Sequence, residues 1–102
     1  MDQNKEEVDE LMKIFVKMIP EMLSEMRDYV EREKWPECSD VTHKMKSSIR
    51  LWDMNVLDED IVYIETHGMR SENTDSIRKK VQNLNTQLLQ AIQQMKLEIG
   101  IS

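Results

Sequence analysis

The first long amphipathic segment of the chain is VDELMKIFVKMIPEMLSEMRDYV, residues 8–30. Its apolar residues recur in steps of three and four, the spacing that places side chains on one face of an α-helix. This stripe consists of Val8, Leu11, Met12, Phe15, Ile19, Met22, Met26 and Val30. Proline removes a backbone donor and crowds the preceding turn, so Pro20 predicts that the helix is kinked or split. The stripe keeps its phase across Pro20, which favours a kink.

Three further stripes follow the first. The second helix is predicted to begin at Pro36, a residue suited to a first helical turn, and to end near Trp52. Its buried seam is Cys38, Val41, Met45, Ser48 or Ile49, and Trp52. The third stripe is Leu57, Ile61 and Ile64, and the fourth is Ile77, Val81, Leu84, Leu88, Ala91 or Ile92, Met95 and Ile99. Asn4 and Asn55 are predicted to cap the first and third helices, and residues 71–76 are predicted to form a polar loop.

The spacing of these stripes predicts an all-α fold. Short connections make sequential helices neighbours, so we expect an antiparallel four-helix bundle formed by a single domain, residues 1–102. Only two Gly and two Pro occur in 102 residues, which disfavours a β-sandwich or barrel because many short strands need many turns. We expect a monomer, with residues 100–102 forming a frayed end. A bundle that dimerises through an incomplete core is a further alternative.

Composition excludes several classes of function. The net charge of −6 argues against a nucleic-acid surface, which needs a surplus of Lys and Arg on one face. The single Cys cannot form an internal disulfide, no apolar run approaches the roughly 20 residues of a membrane span, and no secretory signal is visible. These features favour a cytoplasmic protein. Cys38, His43 and His67 lack metal-ligand spacing and no glycine-rich phosphate loop occurs, so we expect the chain to bind no cofactor.

The orientation of His43 is the most informative feature of the second helix. At about 100° per residue, with Val41 at zero, Met45, Trp52, Cys38 and Ser48 fall within roughly 60° of Val41 and His43 falls near 200°. Lys46, Ser47 and Arg50 fall at roughly 140°, 240° and 180°, on the same outer face. This predicts an exposed imidazole on a well-anchored helix. Such a ring is a competent nitrogen nucleophile near neutral pH, and a cation one turn away would stabilise negative charge attached to it.

The residues around His43 carry a family resemblance. The segment THKMKSSIRLW, residues 42–52, resembles the active-site helix of histidine-containing phosphotransfer (HPt) domains. His43, Lys46 and Ser47 match the phosphoryl-accepting histidine, the assisting lysine and the small residue of that motif, with Met45, Ser48 and Leu51 around them. Phe15, Pro20-Glu21, Trp35, Leu57 and Ile64-Glu65 are also similar to the family pattern. Two positions depart from it, because Ser47 and Asp53 stand where the family usually has glycine.

The resemblance implies a phosphoryl carrier of a two-component phosphorelay. His43 would accept a phosphoryl group from the aspartate of a response-regulator receiver domain and pass it to another receiver. Lys46 would stabilise the phosphoryl group, Ser47 would allow close approach, and Arg50 is a secondary candidate. The partner would supply Mg²⁺, and the chain, having no ATP site, would be a carrier and not a kinase. The sequence leaves open whether the domain is free-standing or part of a hybrid sensor kinase.

The alternative from a different class is a helical protein-interaction module without covalent chemistry. The Ser47 and Asp53 departures and methionines such as Met18, Met54 and Met69, if they lie at the surface, favour it. Other polar or reactive residues have simpler interpretations. His67 is predicted to be structural at a helix C-terminus, and Cys38 to be a small buried hydrophobe. The run Arg78-Lys79-Lys80 is predicted to be an exposed helix face, with a partner contact as the alternative.

Overall fold

The described part of the chain is entirely helical apart from its connections. The computed structural model describes residues 2–100, with side chains from residue 4 onward. Its helices are α1 (Asp2–Glu31), α2 (Trp35–Leu51), α3 (Asp58–Met69) and α4 (Thr74–Ile99), with a 3-10 turn (Asn55–Leu57) before α3. No strand occurs within residues 2–100. The predicted all-α four-helix bundle is confirmed.

The helices form a ring in chain order. Each helix packs against the next, and α4 packs back against α1. The short connections therefore join antiparallel neighbours. One consequence is that the side of the bundle formed by α2 and α3 lies opposite the side formed by α1 and α4. No helix in the described range is both long enough and apolar enough to cross a membrane.

The core contains most of the predicted seams of α2, α3 and α4, whereas Trp52 and Ile99, at the ends of their seams, are only half-buried. The buried seam residues of these helices are Cys38, Val41, Met45, Ile49, Leu57, Ile61, Ile64, Ile77, Val81, Leu84, Leu88, Ile92 and Met95. Of the alternatives, Ile49 is buried while Ser48 is half-buried, and Ile92 is buried while Ala91 is half-buried. Two polar residues of α2, Ser39 and Thr42, are also buried. The Thr42 hydroxyl is satisfied because it donates to the Cys38 carbonyl oxygen at 2.8 Å.

The first helix departs from its predicted stripe at both ends of the pattern. Val8 and Leu11 are 40% and 41% exposed, because the 30 residues of α1 extend beyond the 17 residues of α2. The edge-to-face contact between Phe15 and Trp52, with ring centroids 6.3 Å apart, marks the level at which α2 ends. Towards the other end Leu23, which the stripe omitted, is fully buried. Here α1 is flanked by both α2 and α4, so its buried face is wider.

Several predicted boundaries are corrected. Helix α1 is continuous through Pro20, so the split is wrong and the kink stays a prediction. Asn4 lies inside α1 and caps nothing.

The later boundaries differ by a few residues. Asn55 begins the 3-10 turn and Leu57 precedes α3, so the predicted Asn55 cap is wrong. The polar loop is shorter than predicted, because α4 begins at Thr74 with Asn73 before it in the left-handed conformation. Gly100 ends α4 with φ 76°, and the predicted fraying of residues 101–102 lies outside the described residues.

Candidate functional site

Helices α2 and α3 approach closely at a pair of small residues. A Cβ atom on Gly68 would lie 3.0 Å from the Ser39 Cβ and 3.1 Å from the Trp35 carbonyl oxygen, so the absent side chain permits the contact. The Ser39 hydroxyl donates to the backbone carbonyl oxygen of Glu65 at 2.8 Å. This contact fixes the register between the two helices. His43 lies one turn after Ser39 and Glu65 nearly one turn before Gly68, so in antiparallel helices they arrive at the same level.

Glu65 joins the two principal residues predicted from the sequence. Its Oε1 atom lies 2.5 Å from Nδ1 of His43. The Lys46 ammonium donates to both carboxylate oxygens of Glu65, at 3.2 Å to Oε1 and 3.0 Å to Oε2. His43, Glu65 and Lys46 therefore form one connected cluster, which we call the His43 cluster.

Burial differs sharply among these three side chains. The His43 side chain is 69% exposed, whereas those of Lys46 and Glu65 are 24% and 16% exposed. The carboxylate and the ammonium are thus held in a fixed place beneath an accessible ring. The phase prediction that His43 points away from the core is confirmed.

The electrostatics of the cluster favour an ionised Glu65. Burial of the carboxyl raises its pKa, but the hydrogen bonds from His43 and Lys46 and the charge of Lys46 outweigh burial, so the pKa of Glu65 is lowered. An ionised carboxylate can only accept hydrogen bonds. Nδ1 of His43 is therefore the donor in this contact, which in the neutral ring leaves the lone pair on Nε2.

The other predicted site residues lie outside the His43 cluster. Ser47 is exposed one turn beyond His43 on α2, where its short side chain leaves the ring accessible. Arg50 lies a further turn along, and its Nε donates to Asp58 Oδ1 at 2.9 Å. Asp58 is the first residue of α3, so Arg50 ties α2 to the start of α3. The structure thus brings together His43 and Lys46, with Arg50 engaged elsewhere.

Reasoning from one helix at a time missed the part played by Glu65. Helical phase relates residues within α2, whereas Glu65 reaches His43 from α3. The available signal was the pairing of two small residues, Ser39 and Gly68, at which two helices can approach. The resemblance included Glu65 in its pattern but assigned it no role.

The remaining reactive residues are placed as follows. Cys38 is fully buried, and burial raises the pKa of its thiol to about 11. His67 lies in the last turn of α3, and its ring packs at a tilt against Tyr63 with ring centroids 4.1 Å apart. Among the described residues no group of three or more His, Cys, Asp and Glu side chains is arranged to hold a metal ion.

Comparison with known proteins adds no relative. No protein-family model, curated protein or solved structure matches the chain at a significant level.

Proposed function

We propose that this protein is a histidine phosphotransfer domain that carries a phosphoryl group on His43 in a two-component phosphorelay of the cytoplasm. The observation that supports it most strongly is the contact between Glu65 and Nδ1 of His43, with the ring 69% exposed. An imidazole held by one nitrogen and open to solvent at the other has the arrangement that a nucleophile requires.

The proposed reaction is a displacement at phosphorus. Nε2 of His43 attacks the phosphorus of a receiver's aspartyl phosphate in line, the N–P bond forms, and the P–O bond to the aspartate breaks. The electron pair of that bond leaves with the aspartate carboxylate. The ring keeps its Nδ1 proton and becomes a phosphorylated imidazolium, whose positive charge is stabilised by the Glu65 carboxylate at 2.5 Å. The reverse displacement delivers the group to a second receiver.

Lys46 is suited to stabilise the transferred group. Its ammonium has three donors, and the two hydrogen bonds to Glu65 hold it one turn from His43. A dianionic phosphoryl group on Nε2 would attract this cation, which would add a charge-assisted hydrogen bond. The receiver would supply Mg²⁺ and the aspartate, so positioning and charge are this chain's contributions.

The decisive experiment is phosphorylation of the full chain by a phosphorylated receiver or by phosphoramidate, followed by phosphorus NMR. We expect an acid-labile, base-stable phosphohistidine with the group on Nε2. The His43→Gln variant should give no signal. The matched control is His67→Gln, which removes the other histidine of the chain and should leave the signal unchanged.

Three results would contradict the proposal. They are the absence of phosphohistidine with a panel of receivers from a folded protein, a signal that survives His43→Gln, and a group attached to Nδ1. If the receivers still bind the wild type and His43→Gln equally but nothing is transferred, the protein is a docking module. Sedimentation at two concentrations separately tests the expected monomer.

A further inference from the structure

A second charged feature lies on the side of the bundle opposite His43. A groove of about 220 Å³ runs between α1 and α4, lined by Arg27 and Val30 from α1 and by Arg78, Val81, Gln82 and Asn85 from α4. We call it the arginine groove. The lining residues of α4 are spaced by three and four residues, so they lie on one face of that helix. The lining of the groove thus combines two valines, two guanidinium groups and two amide side chains.

Both arginines are held in place without full neutralisation. Nη1 of Arg27 donates to the Asn85 amide oxygen at 2.7 Å, and within residues 4–100 Arg27 forms no ion pair. The guanidinium of Arg78 lies over the Trp35 ring, 5.1 Å from its centroid. Its carboxylate partner is Glu33 at 3.3 Å, whose side chain is 71% exposed. Such an exposed pair contributes little and exchanges readily.

The two arginines keep positive charge at this groove although the chain has a net charge of −6. An amide oxygen and an indole face orient a guanidinium but leave its charge in place. Asn85 accepts from one of the five N–H donors of Arg27, so other donors point away from it. Guanidinium groups bind carboxylates and phosphates through paired N–H donors, and the amides of Gln82 and Asn85 can donate as well.

We propose that the arginine groove binds a small oxyanion, a carboxylate or a phosphate, between Arg27 and Arg78. The volume of about 220 Å³ admits a group of this size, whereas typical pockets for larger ligands exceed about 300 Å³. Val30 and Val81 add apolar surface to the lining, which would lower the local dielectric constant and strengthen the interaction of an anion with the arginines. Anion binding in the groove would be independent of phosphotransfer, because the groove and the His43 cluster lie on opposite sides of the helix ring.

The test is an NMR titration of the full chain labelled with ¹⁵N. Sodium phosphate is added in one arm and sodium succinate in the other, with sodium chloride used to hold the ionic strength constant. The reporters are the side-chain amides of Gln82 and Asn85 and the Nε–H groups of both arginines. The titration is repeated in His43→Gln, so that an anion bound at the His43 cluster is recognised separately.

We expect saturable shifts of these reporters, unchanged by His43→Gln. Arg27→Gln and Arg78→Gln should each weaken binding about tenfold or more, since each removes a charged donor. The matched control is Arg32→Gln, an exposed arginine just after α1 that pairs with Asp28. It should change the dissociation constant less than about twofold.

The two arms identify the source of the oxyanion. Tighter binding of succinate assigns the groove to carboxylates, and tighter binding of phosphate assigns it to phosphates. Shifts that chloride reproduces, or that survive Arg27→Gln and Arg78→Gln with equal affinity, would overturn the proposal. Shifts confined to residues of the His43 cluster would overturn it too.

Discussion

Replacing Gly68 by alanine tests the helix contact that brings Glu65 to His43. In an open helix this substitution stabilises by up to about 1 kcal/mol, because alanine has the higher helix propensity. Here the new Cβ would meet the Ser39 Cβ at 3.0 Å and the Trp35 carbonyl oxygen at 3.1 Å, whereas ordinary contact begins near 3.4 Å. The helices must separate by a few tenths of an ångström. Overpacking of this kind costs about 1–3 kcal/mol, so we expect a net loss of up to about 2 kcal/mol.

The displacement should also reach the His43 cluster. Glu65 lies three residues from Gly68, about 4.5 Å along the helix axis, and its backbone oxygen accepts from Ser39 in the same contact. Moving α3 away from α2 lengthens the hydrogen bond between Glu65 and Nδ1 of His43. We therefore expect Gly68→Ala to slow the proposed phosphorylation of His43 as well as to lower the free energy of unfolding.

The assay is urea unfolding combined with NMR of the His43 ring nitrogens. A double-mutant cycle with Ser39→Gly measures the coupling between the two positions, since Ser39→Gly removes the Cβ atom that Gly68→Ala would meet and the hydroxyl that bonds Glu65, while the contact with the Trp35 carbonyl oxygen remains. The loss caused by Gly68→Ala should be smaller by about 1 kcal/mol in that background, a typical coupling for residues in contact. If Gly68→Ala raises stability by about 1 kcal/mol and leaves the His43 nitrogens unchanged, the helix contact does not control the site.

Four further predictions follow from burial, charge and backbone conformation. Leu23→Ala should lower the free energy of unfolding by about 2–5 kcal/mol in urea unfolding, because Leu23 is fully buried, whereas Leu11→Ala at 41% exposure should cost less than about 1 kcal/mol. The pKa of Glu65 is lower in the folded protein than its unfolded value of about 4.3, so ionised Glu65 stabilises the fold above that pH and this stabilisation is lost as the pH falls. The difference in free energy of unfolding between wild type and Glu65→Gln should therefore shrink from pH 7 to pH 3. A constant difference would contradict this. Asp53 has φ 57°, so Asp53→Gly should unfold at higher urea concentration than wild type and Asp53→Ala at lower; equal midpoints would mean no strain at this residue. With a thiol pKa near 11, Cys38 should be alkylated by iodoacetamide at least about 100-fold more slowly in the folded protein than in urea, and comparable rates would show that the core opens readily.

The sequence correctly predicts the structural features that depend on a single helix. The seams of α2, α3 and α4 follow from spacing alone, and so does the outward direction of His43. The failures in α1 have a different origin, because Val8 and Leu11 are apolar at helical spacing but lie beyond the level where α2 ends. Spacing identifies the face of a helix that can be buried, and the length of the neighbouring helices determines how much of that face is buried.

The end of α2 also could not be predicted from the sequence, and here a single residue is responsible. The resemblance places a glycine where this chain has Asp53, so the sequence did not determine where the helix ends. Helix α2 ends at Leu51, and Asp53 adopts the left-handed conformation that a glycine would take most easily. Its side chain accepts a hydrogen bond from Asn55 at 2.9 Å, which helps to hold that conformation. A short polar side chain therefore replaces glycine at a local cost in strain.

The His43 cluster shows why the chemistry of a site needs two helices. Along α2 alone, Lys46 is a cation placed to attract a phosphoryl group, and a carboxylate nearby would have seemed unfavourable. Across the contact between α2 and α3, Glu65 holds Lys46 by two hydrogen bonds and holds the ring of His43 by Nδ1. In the proposed reaction these two tasks separate, since Glu65 still accepts the hydrogen bond from the protonated Nδ1 of His43 while Lys46 turns towards the new phosphoryl oxygens. Glu65→Gln should then weaken the interactions of residue 65 with both His43 and Lys46, because an amide stabilises neither the imidazolium nor the ammonium as a carboxylate does.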